Sequence, residues 1–369
     1  MFSRADHRHM ERALSLAERG RFTCQPNPRV GCVLVAGSEI VGEGWHRTAG
    51  CAHAEIEALN AAGSRAVGAT AYVTLEPCSH SGKTGPCAPV LAASGITRVV
   101  IAMEDPNPSV SGRGRKLLED EGLRVEIGLL EEEARNLNAG FLTRMERGRP
   151  RVVIKLAASL DGRTAMAGGE SKWITSPEAR DDVQRLRAES SAILTGIKTV
   201  LADDPSLNVR SERFDTEGRQ PLRVVLDSDL RMPDNAKMLG LEGRTLIMTC
   251  ANNQPGREAL ETVGAEVETV PAGSRGVDLE SVLSRLGEHE CNDVLVEAGP
   301  TLCGSLLSFG HVDEIVFFLA PHLMGHEARS MFHLPGLEVM SDKVQLEIVE
   351  SIPVGVDLRV RARLVAEGV

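Results

Sequence analysis

Along the first 147 residues the apolar positions recur with two alternating periods, one of three to four residues and one of two, as helices and strands do when they take turns. Met10, Ala13, Leu14 and Ala17 fall on one helical face. Short apolar or β-branched runs at Gly31–Val35, Ile40–Gly44, Ala71–Leu75, Arg98–Ala102 and Arg124–Ile127 predict strands. Helices are predicted over Ala54–Ala62, over Ala88–Ser94 and through Lys116-Leu117-Leu118, and a last one over Leu130–Arg147. The first part therefore reads as a three-layer α/β domain, residues 1–147.

The pattern halts at Gly148-Arg149-Pro150 and starts afresh. Val152–Ala157, Ala192–Thr195, Leu222–Asp227, Arg244–Thr249, Asp293–Glu297 and Glu314–Leu319 predict strands, with helices between several of them. Leu346–Val349 and Asp357–Leu364 close the chain as strands, the latter with Leu358, Val360, Ala362 and Leu364 on one face. Residues 148–369 thus read as a second α/β domain, and 369 residues is a comfortable length for two. No internal repeat or low-complexity tract interrupts either.

Composition narrows the function. Aromatic residues are 3% of the chain, so both cores must rest on Val, Leu, Ile, Ala and Met. Residues 1–147 carry 17 Lys+Arg against 18 Asp+Glu, leaving 24 against 34 for the remainder. Neither part offers the clustered positive charge that phosphate backbones require, so a small-molecule substrate is expected and a nucleic acid is not. Eight scattered cysteines, no signal-peptide pattern at Met1-Phe2-Ser3-Arg4 and no apolar run near 18 residues predict a cytoplasmic protein away from membranes.

Candidate chemistry centres on His53-Ala54-Glu55, followed by Pro77-Cys78 and Pro86-Cys87. One imidazole and two thiolates are three ligands for a tetrahedral Zn²⁺ that keeps its fourth position for water. Glu55 reads as the acid/base, able to take a proton from that water and pass it to a leaving amine. Zinc nucleobase deaminases carry His-x-Glu and then Pro-Cys-x-x-Cys, but here eight residues, Ser79 to Pro86, separate the cysteines. A loop with two glycines can close that gap, since each doubling of loop length costs only about 0.6 kcal/mol. His53 and Glu55 lie about 200° apart on a regular helix, so both face one metal only if the motif opens a helix. Pro86 likewise predicts Cys87 at a helix N-terminus, where thiolate is favoured. Cys24, Cys32, Cys51, Cys250, Cys291 and Cys303 lack partners at ligand spacing and read as small buried residues, although Cys51, two residues before His53, is close enough to compete for the metal.

In the second part, Glu297-Ala298-Gly299-Pro300-Thr301-Leu302-Cys303-Gly304 follows a buried-type strand. Gly299 removes bulk and Pro300 suits a first helical turn, whose free N–H groups suit a phosphate; the alternative is an ordinary strand-to-helix turn. No Gly-x-Gly-x-x-Gly accompanies it, so a dinucleotide here is not held in the Rossmann manner.

Several separate strings, nearly end to end, resemble the bifunctional deaminase/reductase family of riboflavin biosynthesis. They are Asn27-Pro28-Arg29-Val30-Gly31, His53-Ala54-Glu55, Thr74-Leu75-Glu76-Pro77-Cys78 with its long return to Pro86-Cys87, Asp105-Pro106-Asn107-Pro108 and Gly112-Arg113-Gly114. In the second part they are Lys155 to Gly162, Glu170 to Thr175, Leu201 to Pro205 and Glu297 to Pro300. The chief departure is Cys51-Ala52 ahead of His53, which bears on the redox robustness of the zinc site. The resemblance implies a cytidine-deaminase-like domain followed by a dihydrofolate-reductase-like one. It implies Zn²⁺ on His53, Cys78 and Cys87, with Glu55 catalysing hydrolytic deamination of 2,5-diamino-6-(5-phosphoribosylamino)pyrimidin-4(3H)-one. NADPH then reduces the ribosyl group of the deaminated uracil product to ribityl.

By the same resemblance, Ala157, Trp173, Thr199, Asp203, Ser228 and the turn Gly299, Pro300, Thr301, Leu302, Cys303, Gly304 and Ser305 meet NADPH. Ser171, Arg187, Leu207, Arg210 and Glu297 meet the substrate. Within that scheme Arg187 and Arg210 suit the sugar phosphate, Glu297 the pyrimidine ring, and Lys155 and Asp203 proton movement at the sugar. Asn27 is expected to bond the ring of the first substrate, and His80 and Lys83 to reach it from the inter-cysteine insertion. Ser228 and Arg231 are candidates for the 2′-phosphate by position, and a homodimer or higher homo-oligomer is expected. The competing readings are a nucleoside or nucleobase deaminase fused to an unrelated reductase-like domain, a structural zinc module, which would not need Glu55, and a nucleic-acid editor, which the charge count opposes.

Overall fold

Alternation of apolar residues gives the first unit a sheet with two buried faces, and helices pack on both. The computed structural model describes residues 1–79, 85–107 and 111–365. Its chain separates into two compact units, Met1–Gly148 and Arg149–Val369. In the first, β1 (Gly31–Ala36), β2 (Glu39–Trp45), β3 (Thr70–Val73), β4 (Arg98–Ile101) and β5 (Arg124–Ile127) are ordered β2-β1-β3-β4-β5. β1 runs antiparallel to β2 and β3, while β3, β4 and β5 are parallel. Odd and even positions go to opposite cores. Cys32, Leu34, Ala71, Val73, Val99 and Ile101 pack with Ala54, Ala58, Leu91 and Leu118 of the helices Ala54–Ala62, Cys87–Ala93 and Arg113–Asp120. Val33, Val35, Tyr72 and Val100 pack on the other side with Met10, Ala13, Leu16, Phe141 and Leu142.

The predicted helix over Leu130–Arg147 is instead two, Glu131–Leu137 and Ala139–Arg147, broken at Asn138. Asn138 is buried, its Oδ1 accepting from the Arg29 backbone N–H at 2.8 Å and its Nδ2 donating to the Arg29 carbonyl at 2.9 Å. A side chain serving a segment 109 residues away turns the chain there.

In the second unit the strands are β6 (Arg151–Ser159), β7 (Arg163–Ala165), β8 (Ala192–Gly196), β9 (Leu222–Leu226), β10 (Thr245–Thr249), β11 (Glu266–Thr269), β12 (Ala272–Gly273), β13 (Gly276–Val277), β14 (Asp293–Val296), β15 (Glu314–Ala320), β16 (Arg329–Ser330), β17 (Leu346–Val354) and β18 (Asp357–Leu364). Nine of them form one sheet ordered β11-β10-β9-β8-β14-β6-β15-β18-β17, parallel from β11 through β15 and antiparallel over the last two. β12–β13 and β7–β16 are small two-stranded ribbons. The parallel strands are buried on both faces beneath helices such as Leu279–Glu288 and Pro300–Ser308 on one side and Pro177–Glu189 and Gln254–Thr262 on others.

β18 keeps the predicted apolar face in its second half, where Ala362 is buried and Leu364 packs on the core, and departs from it at its start. Leu358 is exposed, while Arg359 on the alternate face is buried against Asp182 and Glu350. Satisfying the guanidinium with two carboxylates is what lets a charged position turn inward.

Candidate active sites

In the first unit three ligand atoms converge. His53 is the N-cap of Ala54–Ala62, with extended backbone (φ −75°, ψ 163°), so its ring and Glu55 leave the helix start together. Pro86 caps Cys87–Ala93 in the same way. His53 Nδ1 lies 3.1 Å from Cys87 Sγ and 3.5 Å from Cys78 Sγ, and the Cys87 backbone N–H donates to Cys78 Sγ at 3.3 Å. The three ligand atoms lie within 4.8 Å of one another, the only such group with metal-competent side chains among the described residues. One soft imidazole and two thiols at this spacing fit Zn²⁺ and leave a fourth position.

The charges suit a metal. The Cys87 thiol and backbone N–H hold the Cys78 thiol down, while Cys78 and burial push Cys87 up, and a cation between them favours both as thiolates. Burial pushes Glu55, 3% exposed, up to about 7.

Two residues that sequence reasoning did not single out shape this site. His46 is buried, its ring edge-on to His53 at 5.3 Å between centroids. Its Nδ1 meets the Ala52 carbonyl at 3.2 Å, which makes Nδ1–H the donor and leaves Nε2 to accept from Asn27 Nδ2 at 2.9 Å. That arrangement turns the Asn27 amide. Glu76, also buried, accepts backbone N–H bonds from Asp105, Gly112 and Arg115 at 3.2, 3.0 and 3.0 Å, tying the loop before Cys78 to the start of Arg113–Asp120. A carboxylate just before Pro-Cys was the only local sign of it.

Cys24, Cys32, Cys291 and Cys303 are buried as expected, but Cys250 is half-buried and Cys51 is exposed. The correction for Cys51 is physical: it sits at the end of a surface turn, its N–H bonded to the Thr48 carbonyl, and is not in the metal-competent group. His80 and Lys83 lie outside the described residues.

In the second unit a cleft of about 1380 Å³ opens at the carboxyl ends of the parallel strands. Lys155, Ala157, Ser171, Arg187, Thr199, Asp203, Leu207, Ser228, Glu297, Gly299, Pro300, Thr301, Leu302 and Ser305 line it. Others do not. Trp173 is 71% exposed and off the cleft wall, with the Arg180 guanidinium 4.5 Å over its ring. Cys303 and Gly304 face inward from the helix, Cys303 bonding the Ala298 carbonyl and Gly304 lying against the His333 backbone. Arg210 is exposed beside the cleft.

Arg187 departs from the phosphate-clamp expectation. Its guanidinium makes a bidentate pair with Glu297 at 2.6 and 3.0 Å and also donates to the Asn208 carbonyl. Lys155 Nζ stands 3.9 Å from Glu297 Oε2. Burial works to raise Glu297, but Arg187 and Lys155 prevail and bring it down to about 2, while burial lowers Lys155.

Family models match both units: the cytidine and deoxycytidylate deaminase zinc-binding region over residues 3–103 and the RibD C-terminal domain over residues 150–360. The riboflavin biosynthesis protein RibD of Escherichia coli K12 is 50% identical over 362 residues, covering 96% of this chain and 98% of that one. This chain belongs to the RibD family. The Haemophilus influenzae RibD is 46% identical over 369 residues, covering 97% of each chain. A solved Acinetobacter baumannii RibD superposes with a TM-score of 0.91 at 43% identity, covering 98% of this chain and 99% of that one. A Thermotoga maritima deaminase/reductase structure gives 0.85 at 34% identity with the same coverage. As a RibD-family member, the chain is a bifunctional deaminase and reductase of riboflavin biosynthesis that uses Zn²⁺ and NADPH. Its first unit is cytidine-deaminase-like and its second is the RibD reductase fold. No described helix is long and apolar enough to cross a membrane.

Proposed function

We propose that residues 1–147 carry the deaminase and residues 148–369 the reductase, acting in that order on one phosphorylated pyrimidine. The first substrate is 2,5-diamino-6-(5-phosphoribosylamino)pyrimidin-4(3H)-one, whose amino group at C2 is exchanged for oxygen, consuming water and releasing ammonia. His53 Nδ1, Cys78 Sγ and Cys87 Sγ hold Zn²⁺, which supplies Lewis acidity toward water. Glu55 takes the proton of the attacking water on its carboxylate and returns it to the departing nitrogen. Asn27, oriented by His46, bonds the ring, and His80 and Lys83 are assigned to the substrate by chain position. The observation that carries this reading is the convergence of three ligand atoms within 4.8 Å beside a buried carboxylate. Replacing Glu55 by Gln tests it: zinc stays bound while ammonia release falls at least about a hundredfold. Release at the wild-type rate removes Glu55 from the chemistry.

In the second site NADPH supplies hydride to the sugar of 5-amino-6-(5-phosphoribosylamino)uracil, giving the ribityl product. Ala157, Thr199, Asp203, Ser228 and the Gly299–Ser305 turn are assigned to the cofactor. Ser171, Leu207, Arg210 and the Arg187–Glu297 pair are assigned to the substrate, with Glu297 facing the pyrimidine and Arg210 the phosphate. Lys155 and Asp203 hold protons at the opening sugar. Trp173, between the cleft residues Ser171 and Ile174, is assigned to the cofactor by chain position.

The substrate is a small molecule and not a nucleic acid, a reading supported by the acidic charge balance, and the protein is cytoplasmic. A homodimer is supported by apolar side chains left in solvent on the outermost hairpin and the segment before it, including Met340, Ile348 on β17 and Val356 in the hairpin turn.

A further inference from the structure

The order of the sheet lays the cleft out along one line. Lys155 rides on β6, Glu297 follows β14, Thr199 follows β8, and Ser228 and Arg231 follow β9, with β9-β8-β14-β6 adjacent. Three strand spacings of about 4.8 Å separate the first from the last. The substrate end is fixed by Lys155 and Glu297. Next comes the start of Pro300–Ser308, where Cys303 is the first residue whose N–H bonds back into the helix, to the Gly299 carbonyl. The free N–H groups of that turn suit the cofactor's diphosphate. The adenosine half then extends toward β9.

At that end the β12–β13 ribbon reaches over the cleft with Ser274 and Arg275 at its turn. It is docked on Ser228, whose Oγ accepts the Val277 N–H at 3.1 Å. Gly276 has φ +120°, and a Cβ there would sit 2.4 Å from the same oxygen, so only glycine lets the ribbon lie so close. Ser228 Oγ thus accepts from the ribbon and keeps its own O–H to donate into the cleft it lines. On the turn after β9 that carries Ser228, buried Asp227 accepts the Met232 N–H at 2.8 Å and holds the segment that presents Arg231.

The cations at this end differ from those at the other. Lys155 and Arg187 share the buried Glu297, whereas Arg231 makes its ion pair at 3.6 Å with the exposed Asp229 and lies in the field of Asp227. Arg275 is exposed and forms no ion pair or side-chain hydrogen bond with any described residue. In a unit with ten more acidic than basic residues, two guanidinium groups lining one end of a cleft call for an anion.

We propose that Arg275, carried on the Ser228-anchored ribbon, is a specificity residue that binds the 2′-phosphate of NADPH at the end of the cleft that Arg231 also lines. The planar fork takes two phosphate oxygens, and the ribbon closes over the adenosine ribose. This rests on the assignment of the cleft to NADPH.

The test is calorimetric binding of NADP⁺, NAD⁺ and 2′,5′-ADP to the full-length protein and to its Arg275→Ala and Arg275→Lys variants, with melting curves to verify folding. Arg275→Ala is expected to weaken NADP⁺ and 2′,5′-ADP by about tenfold, the loss of one charge-assisted contact, to leave NAD⁺ within about twofold by the same measure, and Arg275→Lys to recover part of the loss. Equal weakening of NAD⁺, or unchanged NADP⁺, overturns the proposal while leaving the cleft as the cofactor site. If the wild-type protein binds neither NADP⁺ nor 2′,5′-ADP, the cleft assignment falls and this proposal falls with it.

Discussion

At the scale of single residues, what the sequence makes visible is chemistry held by neighbours in the chain. His53, Glu55 and Cys87 announce themselves because each sits at a helix start fixed by local signals such as Pro86, and Cys78 because it follows Pro77 a few residues beyond β3. His46 and Glu76 do not, since their roles come from contacts with Asn27 and with Asp105, Gly112 and Arg115, and nothing in the spacing encodes those. The Arg187–Glu297 pair is likewise a contact 110 residues apart. It yields a pH prediction. Glu297 titrates at about 2 against an ordinary value of 4.5, so the unfolded chain binds its proton first. The stability it contributes is full above pH 4.5 and is lost as pH falls toward 2. Glu297→Gln leaves Arg187 and Lys155 facing each other without a counter-charge, and is expected to cost about 3–5 kcal/mol at neutral pH. Denaturant unfolding of both proteins from pH 7 to pH 3 measures this: the gap between them should narrow with acidity, and a constant gap would assign the effect to packing alone.

Elements were legible where apolar periodicity was strong and illegible where polar contacts overrule it. The parallel strands β8, β9, β10 and β14 are nearly continuous apolar runs and declare themselves. β11, with the sequence Glu-Val-Glu-Thr at the sheet's edge, offers one buried apolar side chain and was not predicted. The break at Asn138 is invisible to periodicity because its partner is Arg29. Removing that side chain in Asn138→Ala strands the Arg29 N–H and carbonyl, which is expected to cost about 1–3 kcal/mol in denaturant unfolding. A sharper case is Arg113–Asp120. A Cβ at Gly114 would stand 1.9 Å from the Pro77 carbonyl oxygen, and Pro77 leads directly into Cys78. Gly114→Ala must therefore push the helix off the metal loop. Zinc content measured by elemental analysis should drop with the melting temperature, while a variant that keeps both would show that the loop is held by Glu76 alone.

Over the whole molecule, the two units have separate cores and separate chemistry, so damage to one site should not spread to the other. Glu55→Gln is expected to oxidise NADPH with the deaminated substrate at the wild-type rate. What periodicity could not foresee at this scale is the outer edge of the large sheet, where the start of β18 turns Arg359 inward and leaves Leu358 outside before the predicted face resumes at Ala362. Ile348 on β17 is 66% exposed and Val356 in the turn between β17 and β18 is 73% exposed, where a monomer gains nothing from apolar side chains. Burying such a patch against a second copy recovers about 25 cal/mol per Å² of apolar surface, and two facing patches of the same kind satisfy a two-fold axis. The wild-type protein should therefore sediment as a species of twice 39.6 kDa. Charged replacements at both Ile348→Asp and Val356→Asp put like charges across that axis, and should shift the boundary to a single chain while the deaminase, far along the sequence, keeps its ammonia release. A wild-type protein that sediments as one chain at every concentration would leave that apolar edge without a partner of its own kind.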